Sequence, residues 1–291
     1  MKVLVIGGTR FFGVHLVNSL LSRGHKVTIA TRGNAKDVFG DKVERIIIER
    51  NDPSNLKETI GGDYYDVVFD NIAYCSNDVK GLLSSLKCGR YIMTSSASVY
   101  TNQHIQTSES EFDPISYPLK WCFREDFPYN EAKRQAESAL FQIYPQFGSV
   151  AVRLPYVIGE DDYTKRLYFY VEQIIKGNSI NVDNLNEKIG FIDSAEAGDF
   201  LAWIAEQNFV GAINGNSNGT ISLKEIIEYV ELKTNKKAIY SSEGLEGPYN
   251  GQKSFDLDVI HANKLGYCFT DLNSWIYKLL DKYIRTLEAN I

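Results

Sequence analysis

Two segments of this sequence carry hydroxyl and amine groups at spacings that suit proton transfer. The first runs from Ser95 to Tyr100 after a β-favouring stretch, and the second begins at Tyr129 and reaches Lys133 four residues later. A spacing of four residues places two side chains on one face of a helix. An ammonium beside a phenol, with a positively charged ring nearby, favours the phenolate and lowers the tyrosine pKa from about 10. We therefore expect Tyr129 to act as an acid or base next to Lys133.

Ser96 completes this set if the strand end and the helix start meet in the fold. Its hydroxyl could donate to the same substrate oxygen as the tyrosine and hold that oxygen in place. A tyrosine and a lysine four residues apart are frequent by chance, so the pair needs supporting context. With that context, the predicted catalytic residues are Ser96, Tyr129 and Lys133.

A glycine-containing turn near the N-terminus provides the context. The apolar run of residues 2–6 leads into Gly-Gly-Thr-Arg-Phe-Phe-Gly, and apolar residues at helical spacing follow. Backbone N–H groups and the helix dipole hold a pyrophosphate in such a turn. A tight turn with a packing glycine is the alternative, because an arginine occupies the place of the middle glycine of dinucleotide-binding turns. The predicted cofactor contacts are Gly7, Thr9, Arg10, Phe11, Phe12 and Gly13.

The end of the second predicted strand bears on the choice between the two nicotinamide cofactors. An acidic residue there would bind the ribose hydroxyls and repel a 2′-phosphate, but this chain has Thr31 and Arg32. Arg10 and Arg32 therefore favour NADP, although NAD remains open and solvated surface arginines are the alternative. Glu49 could border the adenine. Ala73 and Lys133 complete the predicted cofactor site.

Strand-like and helical segments alternate along the first half of the chain. This alternation predicts an α/β fold with a doubly wound parallel sheet. We expect residues 1–154 to form a dinucleotide-binding domain to which residues 190–215 return, and residues 155–189 and 216–291 to form a smaller C-terminal substrate lobe. Strands are predicted at 2–6, 26–30, 43–48, 67–70, 91–94 and 150–154, and helices after Gly13 and over 130–144 and 164–176.

A long stretch with three prolines separates the serine segment from Tyr129. Residues 100–128 contain few periodic apolar positions. Because this stretch leaves the strand that carries Ser96 and returns at Tyr129, we expect it to form a lid on the substrate side of the site.

The region after residue 160 offers two further features. Arg166 could bind a phosphate or carboxylate near a substrate cleft, and a surface salt bridge is the alternative. The aromatic residues between Tyr163 and Tyr170 could line a ring-stacking pocket, although aromatic residues at helical spacing are more often part of the core.

Composition and charge exclude several classes of protein. The 291 residues carry a formal net charge of −6, so nucleic acid is not an expected partner. The four cysteines form no CxxC pair and the four histidines show no metal-ligand spacing, so we expect neither a disulfide framework nor a metal site. No run of about eighteen apolar residues is present. We expect no membrane segment and a cytoplasmic location.

Taken together, these segments resemble the short-chain dehydrogenase/reductase superfamily, specifically its extended branch of NAD-dependent epimerases and dehydratases. The serine motif of that branch matches residues 95–100, and its tyrosine and lysine match Tyr129 and Lys133. Arg-Leu-Pro at 153–155, Phe-Ile-Asp at 191–193 and Ser-Phe-Asp at 254–256 resemble further landmarks. The resemblance implies a Rossmann fold in which Ser96 binds the reacting oxygen, Tyr129 exchanges its proton and Lys133 holds the nicotinamide ribose. The chain departs from the branch at Arg10 and in the longer interval before Tyr129.

Within the branch, the form of the glycine turn and the region of Arg166 are similar to atypical bacterial relatives of chloroplast stem-loop RNA-binding proteins. Two functions stay open. The first is an NADP(H)-dependent oxidoreductase or epimerase acting on a hydroxyl or carbonyl carbon of a small-molecule substrate such as a sugar nucleotide. The second is a cofactor-binding, RNA-associated or regulatory protein with vestigial chemistry. A homodimer is compatible with the resemblance, since members of the superfamily often pair through helices.

Overall fold

The computed structural model describes residues 1–289. Within them, seven strands form a central sheet in which every neighbouring pair is parallel. These strands are β1 (Lys2–Ile6), β2 (Lys26–Thr31), β3 (Glu44–Ile47), β4 (Tyr64–Asp70), β5 (Lys87–Ser96), β6 (Val150–Leu154) and β11 (Gly211–Asn214). Their order across the sheet is β11-β6-β5-β4-β1-β2-β3.

The central strand shows why the sheet is covered on both faces. Val3 and Val5 of β1 belong to one buried cluster, whereas Leu4 and Ile6 belong to another. Successive side chains of a strand point to opposite faces, so a continuous apolar run requires apolar partners on both sides. Parallel sheets obtain these partners from crossover helices.

The helices provide that cover. They are α1 (Phe12–Ser22), α2 (Pro53–Ile60), α3 (Ser76–Leu83), α4 (Tyr129–Ile143), α5 (Arg166–Lys176), α6 (Ser194–Ile204), α7 (Leu223–Thr234), α8 (Ile260–Leu265) and α9 (Ile276–Glu288). Residues of α1, α6 and α8 pack on one face of the sheet, and residues of α2, α3 and α4 pack on the other. The predicted fold class, an α/β protein with a doubly wound parallel sheet, is confirmed.

A third buried cluster holds the C-terminal elements together. Helices α5, α7 and α9 share it with residues of five short strands. These strands are β7 (Tyr156–Ile158), β8 (Ser179–Asn181), β9 (Lys188–Ile189), β10 (Phe191–Asp193) and β12 (Ile221–Ser222). Two further short strands, β13 (Ile239–Tyr240) and β14 (Leu245–Glu246), have exposed residues. Strand β7 pairs with β10, β9 with β12, and β8 with both β13 and β14. Strand β11 returns to the central sheet beside β6.

Local signals explain where several elements begin and end. The Asp52 side chain accepts hydrogen bonds from two N–H groups of α2 and thereby caps this helix. Gly177 ends α5 with a left-handed φ of 71°, which glycine adopts without strain. The helix expected over 130–144 begins one residue earlier, at Tyr129, and the one expected over 164–176 begins at Arg166.

The second half of the segment expected to form a lid packs along α4, and its first half bonds to Asp256 and Asn214. Gln142 donates to the carbonyl oxygens of Pro114 and Tyr117, and Gln135 accepts the N–H of Lys120. Of residues 101–128, Gln103 lines the main cavity described below. The prediction of a lid is therefore wrong for most of this segment, because glutamines on α4 offer hydrogen bonds that attach it to the helix.

None of the helices within residues 1–289 is long and apolar enough to cross a membrane.

Candidate active site

A cavity of about 560 Å³ lies where several strands of the central sheet end. Its wall includes residues after the carboxyl ends of β4, β5 and β6, together with Phe11 and Phe12 of the turn after β1. Open α/β sheets bind their ligands at this edge, because the strand-to-helix loops meet there. The cavity is large enough for a small organic ligand.

The three predicted catalytic residues all line this cavity. Ser96 ends β5, and Tyr129 is the first residue of α4. The ammonium nitrogen of Lys133 lies 5.9 Å from the centre of the Tyr129 ring. The Ser96 hydroxyl acts to lower the Tyr129 pKa and accepts the N–H of Ser98 at 3.1 Å. The fold thus brings together three residues that lie up to 37 positions apart in sequence.

Main-chain oxygens hold the Lys133 side chain in place. Its ammonium donates to the carbonyl oxygens of Ala73 at 2.7 Å and Thr94 at 2.8 Å. The side chain is buried, with 2% of its surface exposed. Ala73 was expected at the cofactor site. Its carbonyl oxygen accepts a hydrogen bond that helps to position the Lys133 side chain.

The glycine turn has the close contacts of a phosphate-binding turn. A Cβ atom on Gly13 would lie 2.6 Å from the carbonyl oxygen of Gly7, so a larger residue would push the turn apart. Gly7 has a φ of 82° and lies against Ile72. The positive φ further along the turn falls on Phe11, at 55°, and not on Arg10. An arginine at the position of the middle glycine therefore causes no backbone strain there.

The remaining predicted cofactor residues lie outside the wall of the cavity. Arg10 and Arg32 are exposed, and neither side chain has a hydrogen-bond or ion-pair partner among residues 1–289. Glu49 is exposed and accepts the N–H of Asn51 at 3.2 Å. Thr9 is partly exposed. The unpaired arginines leave their guanidinium groups available to an anionic ligand.

Comparisons with known proteins agree with this geometry. Residues 3–81 match the family described as "NAD dependent epimerase/dehydratase family". This part of the chain is similar to the NAD-dependent epimerases and dehydratases. The resemblance expected from the sequence is confirmed, and so is the expectation that the chain is an enzyme related to NAD(P)-dependent epimerases and dehydratases.

Two curated relatives come from Arabidopsis thaliana. Chloroplast stem-loop binding protein of 41 kDa b is 29% identical over 199 residues, which cover 63% of this chain and 49% of that protein. The match thus spans about half the length of that relative. UDP-glucuronic acid decarboxylase 3 is 23% identical over 265 residues, which cover 79% of this chain and 74% of that protein.

Solved structures of epimerases share the fold. UDP-glucose 4-epimerase from Thermotoga maritima, solved with UDP-glucose, superposes with a TM-score of 0.76 at 16% identity, covering 98% of this chain and 99% of that one. UDP-glucuronic acid 4-epimerase from Bacillus cereus, in complex with NAD, superposes with a TM-score of 0.75 at 19% identity, covering 99% of both chains. At such identities the likeness shows the fold alone.

Burial determines the pKa values of Tyr129 and Lys133 in this cavity. Tyr129 is half exposed, but desolvation of its hydroxyl group in the cleft raises its pKa to about 12, although the Ser96 hydroxyl and the charge of Arg166 act in the lowering direction. The lowering of the Tyr129 pKa was expected with an oxidised nicotinamide bound, so it stays a prediction. Lys133 approaches the face of the ring, and burial lowers its own pKa to about 8. The loss of hydration in the cleft outweighs the neighbouring positive charges.

Several cavity residues were missed by the sequence reasoning. Asn71 and Tyr74 follow the end of β4 just as Ser96 ends β5, and this shared position could have indicated them. Asn71 accepts from the Thr94 hydroxyl at 2.9 Å and donates to the carbonyl oxygen of Gly7 at 3.2 Å. Gln252 also lines the cavity, and its sequence context gives no signal because it comes from a distant loop.

Arg166 and Tyr163 reach the cavity from the C-terminal lobe. The guanidinium of Arg166 lies 5.2 Å from the centre of the Tyr156 ring, and its Nε donates to the Thr164 hydroxyl at 3.2 Å. No carboxylate among the described residues pairs with Arg166, so the salt-bridge alternative is wrong. Tyr170 of the aromatic run is buried in the core, whereas Tyr163 packs edge-on against Phe11.

A buried ion pair supports the site from behind. Arg153 of β6 and Glu137 of α4 are both fully buried and lie 2.6 Å apart. Glu137 also accepts from the Ser95 hydroxyl at 2.5 Å, and Arg153 donates to the carbonyl oxygens of Glu109 and Phe112. Removing one partner of such a pair would leave an uncompensated buried charge. The pair therefore links α4, the end of β5 and the start of the long segment.

Proposed function

We propose that this chain is an NADP(H)-dependent epimerase or oxidoreductase that acts on a hydroxyl or carbonyl carbon of a sugar nucleotide. The observation that carries the proposal is the meeting of Ser96, Tyr129 and Lys133 in one cavity beside a phosphate-binding turn. Both curated and structural relatives with UDP-sugar names are consistent with this substrate class.

The residues around the turn fit a dinucleotide. Gly13 leaves room only for a hydrogen atom, and the N-terminus of α1 offers its N–H groups and positive dipole end to a pyrophosphate. Lys133 would hold the nicotinamide ribose. Arg10 and Arg32, unpaired at the surface, would bind a 2′-phosphate. When bound, the nicotinamide supplies the hydride acceptor or donor.

Ser96, Tyr129 and Lys133 would each have a different role in proton transfer. The Ser96 hydroxyl would donate to the substrate oxygen and fix its position. Tyr129 would accept the proton of a substrate hydroxyl or return it to a carbonyl oxygen. The guanidinium of Arg166 and, below its own pKa of about 8, the ammonium of Lys133 would favour the phenolate, opposing the burial that holds the Tyr129 pKa at about 12.

The composition of the cavity wall narrows the reaction type. No aspartate, glutamate or histidine lines it within residues 1–289. Elimination of water requires an acid for the leaving hydroxyl and a base for the neighbouring carbon, in addition to hydride transfer. A wall whose acid-base groups are tyrosines and a lysine suits epimerisation or simple reduction better than dehydration.

Arg166 supports an anionic substrate. It and Lys133 are the cationic residues of the cavity wall in the described chain, and no carboxylate in the wall opposes them. A protein with a net charge of −6 thus has a locally positive site. The guanidinium of Arg166 lies over the Tyr156 ring and would donate hydrogen bonds to the diphosphate of a sugar nucleotide.

The RNA-associated alternative has less support. Exposed cations are extensively paired with carboxylates, as in Lys188 with Glu225 and Arg45 with Asp37. Such pairing reduces the contiguous positive surface that a phosphate backbone requires. A filter-binding assay with a stem-loop RNA addresses this alternative, which predicts retention of the RNA at physiological salt.

A panel of UDP-sugars tests the proposal. The protein would be incubated with each UDP-sugar and either NADP or NADPH, and proton NMR would detect epimers or oxidised products with NADP and reduced products with NADPH. We expect conversion of at least one substrate by the wild type and a loss of at least about a hundredfold in Tyr129→Phe. Full activity of Tyr129→Phe would contradict the proposal.

A second pair of variants tests the role of Arg166. Arg166→Met should raise the KM for the substrate by about tenfold or more. Lys176→Met is the matched control, because Lys176 lies at the other end of α5 and pairs with Glu172 at the surface. Equal KM values for both variants would show that Arg166 does not contribute to substrate binding.

A further inference from the structure

The long segment before Tyr129 carries an arginine to the loop that follows β4. Arg124 lies in a turn in which the N–H of Phe123 donates to the Asp126 carboxylate at 2.7 Å. Upstream, Ser76 accepts the N–H of Cys122 and donates to the carbonyl oxygen of Lys120, which attaches the segment to the start of α3. These contacts fix the position from which the arginine extends.

The Arg124 side chain makes three contacts with the same small region. Its Nη2 donates to the carbonyl oxygen of Ile72 at 2.9 Å, and its Nε donates to Asp78 at 3.1 Å. Its guanidinium carbon lies 4.2 Å from the centre of the Tyr74 ring. A planar guanidinium can stack on a ring while it donates in its own plane, which an ammonium cannot do.

The region that Arg124 contacts is attached to the catalytic lysine. The main chain of residues 72–74 has a side-chain partner at each of four polar groups. The Ile72 N–H donates to Asp70, the Ile72 carbonyl accepts from Arg124, the Ala73 carbonyl accepts from Lys133, and the Tyr74 N–H donates to Asp78. A shift of this loop would therefore move the Ala73 oxygen and the Lys133 ammonium with it.

Tyr74 provides a second route to the catalytic tyrosine. Its ring centre lies 6.1 Å from that of Tyr129 and 4.9 Å from the Lys133 ammonium. Tyr74 also lines the cavity. Arg124 and Lys133 thus both contact the ring that packs beside Tyr129.

Arg124 and Arg50 both pair with the carboxylate of Asp78, so the position of Arg124 depends on the charge of Asp78. It is 5% exposed and lies 3.1 Å from Arg124 and 3.2 Å from Arg50. Burial acts to raise the Asp78 pKa, but Arg50, the Tyr74 N–H and Arg124 together hold it below its usual value. Arg50 in turn is paired with Asp70 at 2.6 Å. Arg124 is the member of this network that the long segment supplies.

We propose that Arg124 is a positioning residue for the active site, acting through the loop of residues 72–74 on Lys133 and Tyr129. This inference rests on the proposed hydride-transfer function. This role would explain the longer interval before Tyr129. The segment carries Arg124 to the loop of residues 72–74 rather than closing over the substrate.

The test measures the titration midpoint of Tyr129 with NADP present. Phenolate absorbance would be recorded against pH, and the signal of a Tyr129→Phe protein with the same second substitution would be subtracted. We expect Arg124→Met to raise the midpoint by about one pH unit relative to the wild type. Arg124→Lys should raise it less, because the ammonium keeps the charge near Asp78 but loses the stacking and one donor. Lys120→Met is the control, because Lys120 lies in the same segment but contacts the Phe127 ring. The Tyr129 midpoint in Lys120→Met should equal that of the wild type.

The outcomes separate the two proposals. A wild-type midpoint that NADP does not lower contradicts the proposed function before any Arg124 variant is considered. A lowered wild-type midpoint that stays unchanged in Arg124→Met, even with reduced thermal stability, overturns the positioning role alone. If Arg124→Met does not fold, an unchanged midpoint in Arg124→Lys overturns it equally.

Discussion

The ammonium nitrogen of Lys133 lies 5.9 Å from the centre of the Tyr129 ring, one turn further along α4. The same nitrogen donates to two main-chain carbonyl groups and is removed from solvent. The fold thus keeps a cation next to a phenol at the cost of the cation's hydration. Burial accordingly lowers the pKa of Lys133 to about 8.

This lowered pKa makes stability depend on pH in a specific direction. Between pH 8 and about 10.5 the unfolded chain keeps the Lys133 proton while the folded protein has lost it, so stability rises with pH in this window. Relative to Lys133→Met, the wild type should gain about 3 kcal/mol in its free energy of unfolding across the window. Urea unfolding of both proteins at either end checks this. A constant difference between them would mean that Lys133 has an ordinary pKa.

The arginines at the surface of the cofactor domain should select the phosphorylated cofactor. NADPH should bind more tightly than NADH, and Arg32→Ala should weaken NADPH binding by about tenfold to a hundredfold without affecting NADH. Calorimetry with both cofactors measures this. Arg45→Ala is the control, because Arg45 is paired with Asp37. Equal affinities of the wild type for the two cofactors would show that Arg32 is only a surface residue.

Two glycines in helices should respond in opposite ways to alanine. Gly13→Ala places a Cβ 2.6 Å from the Gly7 carbonyl oxygen, so it should distort the turn and abolish measurable cofactor binding. Gly81→Ala in α3 meets no atom within 4 Å and should stabilise the protein by about 0.4–1 kcal/mol. Thermal unfolding and cofactor titration report both effects. Normal cofactor affinity in Gly13→Ala would contradict the assignment of the turn.

The sequence was sufficient for those features that depend on local pattern. The two-sided apolar run of β1 and the glycines after it predicted a buried parallel strand and a phosphate-binding turn. Tyr129 and Lys133 could be paired because helical spacing alone places them together. Their meeting with Ser96 followed from the expectation that strand ends share one edge of the sheet.

The features that were missed depend on contacts between distant segments. The path of the long segment is determined by Gln135 and Gln142 of α4, whose polar side chains give no sign of what they bind. The raised pKa of Tyr129 likewise depends on how the cleft excludes water, which spacing does not reveal. The limits of the expected domains and the NADP preference stay predictions.

The pKa of Tyr129 can be measured without knowledge of the substrate. Its titration is therefore the most direct test of the proposed hydride-transfer site. Phenolate absorbance would be titrated in the wild type and in Tyr129→Phe, each with and without NADP. We predict a midpoint near 12 for the protein alone and below about 10 with NADP, since a positively charged ring beside Lys133 favours the phenolate. A midpoint near 12 in both conditions, with NADP demonstrably bound, would contradict the hydride-transfer site.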